Sequence, residues 1–114
     1  MDQPTRDGSP PVVRLSGEID LAQAPDVQER LDALADAGAT TIVVDLLEVT
    51  FLDSVALGVL VSALKRCREA GGTVHLVVVE PRILKVLKIT GLLDEFCIHD
   101  SLASATAPHD GSGT

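Results

Sequence analysis

Aromatic side chains are nearly missing from this chain. Among 114 residues there is no Trp, no Tyr and only two Phe. Stacking surfaces for single-stranded nucleic acid need aromatic faces, so their absence argues against that class of partner. It also means that the core must be assembled from Val, Leu, Ile and Ala. Basic residues are scarce as well: 9 Lys and Arg stand against 17 Asp and Glu, a net charge of −8. Phosphate backbones and anionic membranes repel such a surface. A basic protein partner is compatible with it, and solubility alone accounts for it equally well.

Cysteine and long apolar runs are also in short supply. The two cysteines, Cys67 and Cys97, have no CxxC spacing and no His cluster beside them, which argues against a zinc site. Both fall on apolar faces of the expected elements, where packing is the usual role. A Cys67–Cys97 redox pair is the minor alternative, since disulfides are rare in the cytosol. No run approaches the roughly 18 apolar residues of a membrane span. The opening MDQPTRDGSPP lacks the apolar segment of a secretory signal. The expectation is a cytoplasmic protein. Neither GxxxxGK[ST] nor GxGxxG occurs, which leaves no phosphate-loop or dinucleotide fingerprint and no cofactor to expect.

What is present is an alternation. Residues 1–11 carry three prolines and read as a flexible arm, with room at most for a short edge strand near Asp2 to Arg6. Val12 to Ser16 alternates and is β-branched, so it reads as a strand that turns at Gly17 to Asp20. A helix follows from about Pro25, with Val27, Leu31, Leu34 and Ala35 on one face and Gly38 as its stop. Thr41 to Leu47 is almost wholly apolar, as in a central strand covered on both faces. Asp45 interrupts that run; it reads as a loop organiser satisfied by backbone N–H groups or as a polar wall of a nearby site.

The next helix spans about Ser54 to Ala70. Ala56, Val59, Leu60, Ala63, Leu64 and Cys67 form its inner face, and Gly71–Gly72 ends it. Thr73 to Val79 is a further buried strand containing His75, which lacks a second ligand at metal spacing. Pro81 opens a short helix with Ile83, Val86 and Leu87 inward, closed by Thr90–Gly91. Phe96 to His99 is a last short strand, Asp100 or Ser101 caps a final turn through Ala105, and residues 108–114 form a flexible tail. One domain over residues 12–107 results. Its class is α/β: a mixed, mostly parallel sheet of about four strands with about four helices packed around it.

In such sheets sites form beyond the carboxyl ends of strands. Gly17 to Asp20 and Val49 to Ser54 both follow strands, which brings Ser54 near Glu18 and Asp20. A nucleophilic Ser54 would need a base and an oxyanion hole. G-x-S-x-G is absent, and His75, His99 and His109 lie in a strand, at the chain's late edge and in the tail. No catalytic residue is assigned and no enzyme is expected. Two readings of Ser54 stay open: a helix N-cap, or a hydroxyl left free because Asp53 caps the helix.

The segments GEID (Gly17 to Asp20), VVDLLEVTFLDS (Val43 to Ser54), Leu57–Gly58 and KITGL (Lys88 to Leu92), in this order and spacing, resemble the STAS domain family. The likeness covers about Val12 to Ala105 and is strongest to bacterial anti-anti-sigma factors. That resemblance implies a module that binds an anti-sigma factor acting also as a serine kinase of the GHKL type. Binding would release a sigma factor, an indirect partner, as in stress responses. It implies phosphorylation of Ser54, reversed by a PP2C-type phosphatase, and a partner surface of Glu18, Asp20, Asp53, Ser54, Val55, Gly58 and Ser62. The chain departs from the family's frequent D-S-S-G-L-G: Val55 stands for the second serine and Ala56 for the glycine. Two alternatives accompany this reading, a STAS scaffold or accessory subunit in a stress-signalling or lipid-transport complex, and a small-ligand-binding domain.

Overall fold

The computed structural model describes residues 9–106. The expected edge strand near Asp2 to Arg6, most of the N-terminal arm, and the tail with His109 lie outside the described residues. The end of that arm is already part of the fold. Pro11 is buried, and its carbonyl accepts the Val43 N–H at 2.9 Å.

Among the described residues eight elements alternate: β1 (Val12–Ile19), α1 (Ala24–Asp36), β2 (Ile42–Leu52), α2 (Ser54–Glu69), β3 (Val74–Val77), α3 (Pro81–Ile89), β4 (Cys97–His99) and α4 (Leu102–Thr106). The strands form one sheet in the order β1-β2-β3-β4, and every pairing is parallel. This order has a mechanical consequence. Crossovers between parallel strands are right-handed almost without exception. When the strands are added steadily in one direction, crossovers of one hand put every connecting helix on the same face. The buried residues of α1, α2 and α3 accordingly join one cluster with Leu15, Val44, Leu46 and Leu76. Among the described residues α4 alone, five residues long, lies over the other face, where Leu102 and Ala105 meet Val43, Val77 and Val12. The expectation of a central strand covered on both faces therefore holds unequally among the described residues.

The inner face of α2 is the one its spacing dictates: Ala56, Val59, Leu60, Ala63, Leu64 and Cys67 are all buried. Helices α1 and α2 are further linked by Arg66, which bonds Asp32 and Asp36 across the surface. Such exposed pairs contribute little, about 0–1 kcal/mol. Gly72 has a steric reason to be glycine. A β-carbon there would lie 1.9 Å from the Thr40 carbonyl oxygen.

Two boundaries differ from the sequence expectation, for one physical reason. Neither β1 nor β2 ends where alternation breaks: β1 continues through Gly17 to Ile19, and β2 through Leu52. The register runs Arg14↔Asp45, Ser16↔Glu48, Gly17↔Val49, Glu18↔Phe51, so β2 carries an extra residue at two places. Each β-bulge shifts the facing pattern by one. Leu46, Val49 and Leu52 are thereby buried at a spacing of three, where a regular strand has a period of two. Gly17, at φ 75°, supplies the left-handed backbone on the partner strand.

Candidate functional site

The ends of β1 and β2 lie side by side. Ile19 pairs with Leu52, and the Asp53 N–H donates to the Ile19 carbonyl at 3.2 Å. The chain then turns directly into α2. Asp53 is its N-cap: extended in backbone, it accepts the Ala56 N–H on its carboxylate at 2.9 Å. This resolves the ambiguity about the serine. With the cap supplied by Asp53, Ser54 is the first helical residue, exposed, and its hydroxyl makes no hydrogen bond among the described residues.

Asp20 is only half-exposed and is engaged locally. Its carboxylate accepts the Ala22 N–H at 3.0 Å, and its carbonyl accepts from Gln23 and Ala24, which starts the entry into α1. Glu18 is exposed in β1, opposite Phe51. Along α2, Ser54, Gly58 and Ser62 recur every four residues and are all solvent-facing, so they make one stripe of small residues. Gly58 is informative. A β-carbon there would meet nothing within 4 Å, so no packing demands glycine. Glycine in mid-helix costs about 1 kcal/mol relative to alanine. Beside the stripe, Val55 is 42% exposed.

The expected surface omitted two large apolar side chains at this end of the sheet. Leu21 is 68% and Phe51 50% exposed. Phe51 is one of only two aromatics, within a strand where its neighbours Val49 and Leu52 are buried. The bulged register turns it outward, and the signal legible beforehand was its place next to Leu52, which cannot share its face.

Asp45 is brought into no site with Ser54. It is 3% exposed, accepts the Leu47 N–H at 3.0 Å across the first bulge, and pairs with Arg14 Nε at 3.1 Å. It lies far up β2 from Asp53, and its role is to hold the bulge. The cysteines part company. Cys67 is buried against the sheet, and burial pushes its thiol up. Cys97 is exposed, contrary to the expectation that both pack. In register with His75, it faces the side of the sheet away from α2, so a Cys67–Cys97 bond would need the sheet to come apart. His75 is hydrogen-bonded to His99. Among the described residues no group of three or more His, Cys, Asp or Glu could hold a metal ion, and no helix is long and apolar enough to cross a membrane. An open hollow of about 400 Å³, lined by residues including Leu84, His99 and Ser104, lies at the ends of β3 and β4, apart from Ser54.

Comparison with known proteins agrees with this fold. The STAS domain model matches residues 3–105. The chain is 38% identical over 82 residues to the anti-sigma-B factor antagonist of Bacillus subtilis (strain 168), covering 72% of this chain and 74% of that protein. It is 36% identical over 80 residues to the protein of the same name from Listeria monocytogenes, covering 70% of each. Among solved structures, an anti-sigma factor antagonist from Mycobacterium paratuberculosis superimposes with a TM-score of 0.73 at 28% identity, covering 92% of this chain and 89% of that one.

Proposed function

The chain belongs to the STAS domain family, and from that membership we propose that it is an anti-sigma factor antagonist: a binding module that docks on an anti-sigma factor serine kinase of the GHKL type, so that a sigma factor is released. Its role is regulatory rather than catalytic. The observation that carries the reading is the division of labour at the start of α2. Asp53 satisfies the helix end, and the Ser54 hydroxyl is left exposed and uncommitted. A kinase can reach it without unwinding the helix, and a PP2C-type phosphatase can reach the product.

The docking surface is Glu18, Asp20, Asp53, Ser54, Val55, Gly58 and Ser62. The unneeded glycine at position 58 and the small-residue stripe support close approach of a partner backbone. Val55, Phe51 and Leu21 add apolar contact area at the same end. A phosphate on Ser54 would carry about −1.5 to −2 charges. The N-terminus of α2 tolerates that charge. A docked partner does not, because the phosphate adds bulk and must be desolvated beside Asp53. A loss of about 2.8 kcal/mol suffices to weaken binding a hundredfold. The switch therefore needs no refolding.

The test is incubation with a candidate anti-sigma kinase and ATP, read by intact mass. One added phosphate is expected on the wild type and none on Ser54→Ala. By calorimetry, Ser54→Asp should bind the kinase about a hundredfold more weakly than Ser54→Ala. Equal affinities would sink the mechanism.

A further inference from the structure

The charges on this chain are unevenly shared. Its net charge is −8, yet helix α3 carries three of the nine basic residues, Arg82, Lys85 and Lys88, and no acidic one. All three are exposed, turned away from the buried Ile83 and Leu87. Ile89 stands beside them at 72% exposure, the most exposed large apolar side chain among the described residues. Arg82 lies 3.5 Å from the N-cap carboxylate of Glu80, whereas Lys85 and Lys88 make no ion pair among the described residues.

The place of this face beside α2 follows from the sheet. Strands β2 and β3 are parallel neighbours, so α2 and α3 both start at carboxyl ends of strands and run back in the same direction over the front layer. Pairing with β3 stops at Asp45↔Val77 while β2 runs on to Leu52, so α2 begins farther out than α3. The C-terminal half of α2 is therefore the part beside α3. Arg68 ties it there: its guanidinium donates to the Glu95 carboxylate at 2.8 Å and to the Glu95 carbonyl at 2.7 Å, just beyond α3. The exposed line on α2 begins at Ser54, among Glu18, Asp20 and Asp53, and passes Gly58 and Ser62 to Lys65, level with the cations of α3. Ser54 and Lys65 are about 16 Å apart along the helix axis.

We propose that the outer face of α3, with Lys65, is the second half of the docking surface, and that it fits a partner of split charge: a basic patch over the Ser54 end and, about 16 Å along, an acidic patch with an apolar seat for Ile89. This rests on the antagonist reading above and extends it, since net charge alone points to a uniformly basic partner. Covering three cations with a basic surface would set like charge against like as water leaves, whereas carboxylates opposite them complement the face. Split charge also fixes orientation. A partner turned end for end would meet its own sign at both ends. An anionic membrane complements α3 but is repelled by the acidic end of the same surface.

The test uses the whole chain and a candidate GHKL-type anti-sigma kinase in calorimetry. The double variant Lys85→Glu/Lys88→Glu makes the chain more acidic. A uniformly basic partner would bind it more tightly, whereas a partner of split charge should bind it about tenfold or more weakly. Lys85→Gln/Lys88→Gln should fall between, and the loss should shrink as salt rises. Both lysines are exposed, so thermal melts should match the wild type. Should the Glu variant fail to fold, the Gln variant decides by the same sign. Unchanged or tighter binding by the folded variant overturns the inference, and phosphate on Ser54 in the same mixture with ATP, read by intact mass, then leaves the antagonist reading standing. If no candidate kinase binds the wild type, that reading falls and the inference with it. Co-sedimentation of the wild type with phosphatidylserine vesicles that the Glu variant loses, at unchanged kinase affinity, would give α3 to a membrane and overturns the inference as well.

Discussion

The two faces of the sheet are built to different standards. On the front, α1, α2 and α3 bury a continuous layer that includes Leu31, Leu46, Leu60, Leu76 and Leu87 at 2% exposure or less. On the back, the described cover is one five-residue helix over Val43 and Val77, tied by two histidines and a serine. The front holds by apolar area, which is indifferent to pH and needs no particular geometry. The described part of the back holds by a small apolar contact and by hydrogen bonds, which need particular geometry. The lesson is that a small domain can keep its stability in one layer and leave its adjustable parts at the margins. The Ser54 end follows the same logic: the exposed Ser54 hydroxyl stands on the rim of the strong layer, outside the core.

The difference between the faces can be put to strain directly. Leu76→Ala removes a fully buried side chain from the front layer and should lower stability by about 2–5 kcal/mol in denaturant melts. Leu102→Ala, on the half-buried α4 side chain, should cost roughly 1 kcal/mol while loosening residues 97–106 alone in hydrogen exchange. Comparable losses from the two substitutions would show that the faces are equal after all. Asp53→Ala should cost about 1 kcal/mol, because it removes the cap of a front-layer helix. The smallest effect on stability, and the sharpest on accessibility, concerns the thiols. In the native protein iodoacetamide should modify Cys97 and spare Cys67, whose burial keeps its thiol protonated. Equal labelling would mean that the front layer opens as readily as the back.

Much of this molecule was legible in its residues. The inner face of α2 follows from the spacing of Ala56, Val59, Leu60, Ala63, Leu64 and Cys67, because burial of one stripe is what a helix of that pattern must do. Pro25 and Pro81 lie in the first turns of α1 and α3, where a missing N–H costs nothing. The candidate phosphate acceptor was legible as well, but only as one of two roles at the start of α2. The far ends of β1 and β2 were not legible. A bulge breaks the period of two on which a strand is recognised, so Glu48 to Leu52 looked like loop and Phe51 was not seen to face outward.

Local pattern thus determined the kind and order of the elements, since propensity, capping and facing period act over a few residues. Tertiary structure decided what required strands to meet. The order β1-β2-β3-β4 places the three long helices on one face, and no run of residues announces which strand will lie beside which. It likewise brought His75 and His99, 24 residues apart, into hydrogen-bonding distance, and sent Cys67 and Cys97 to opposite sides. Those outcomes depend on pairing across the sheet, a long-range choice made by the whole core at once.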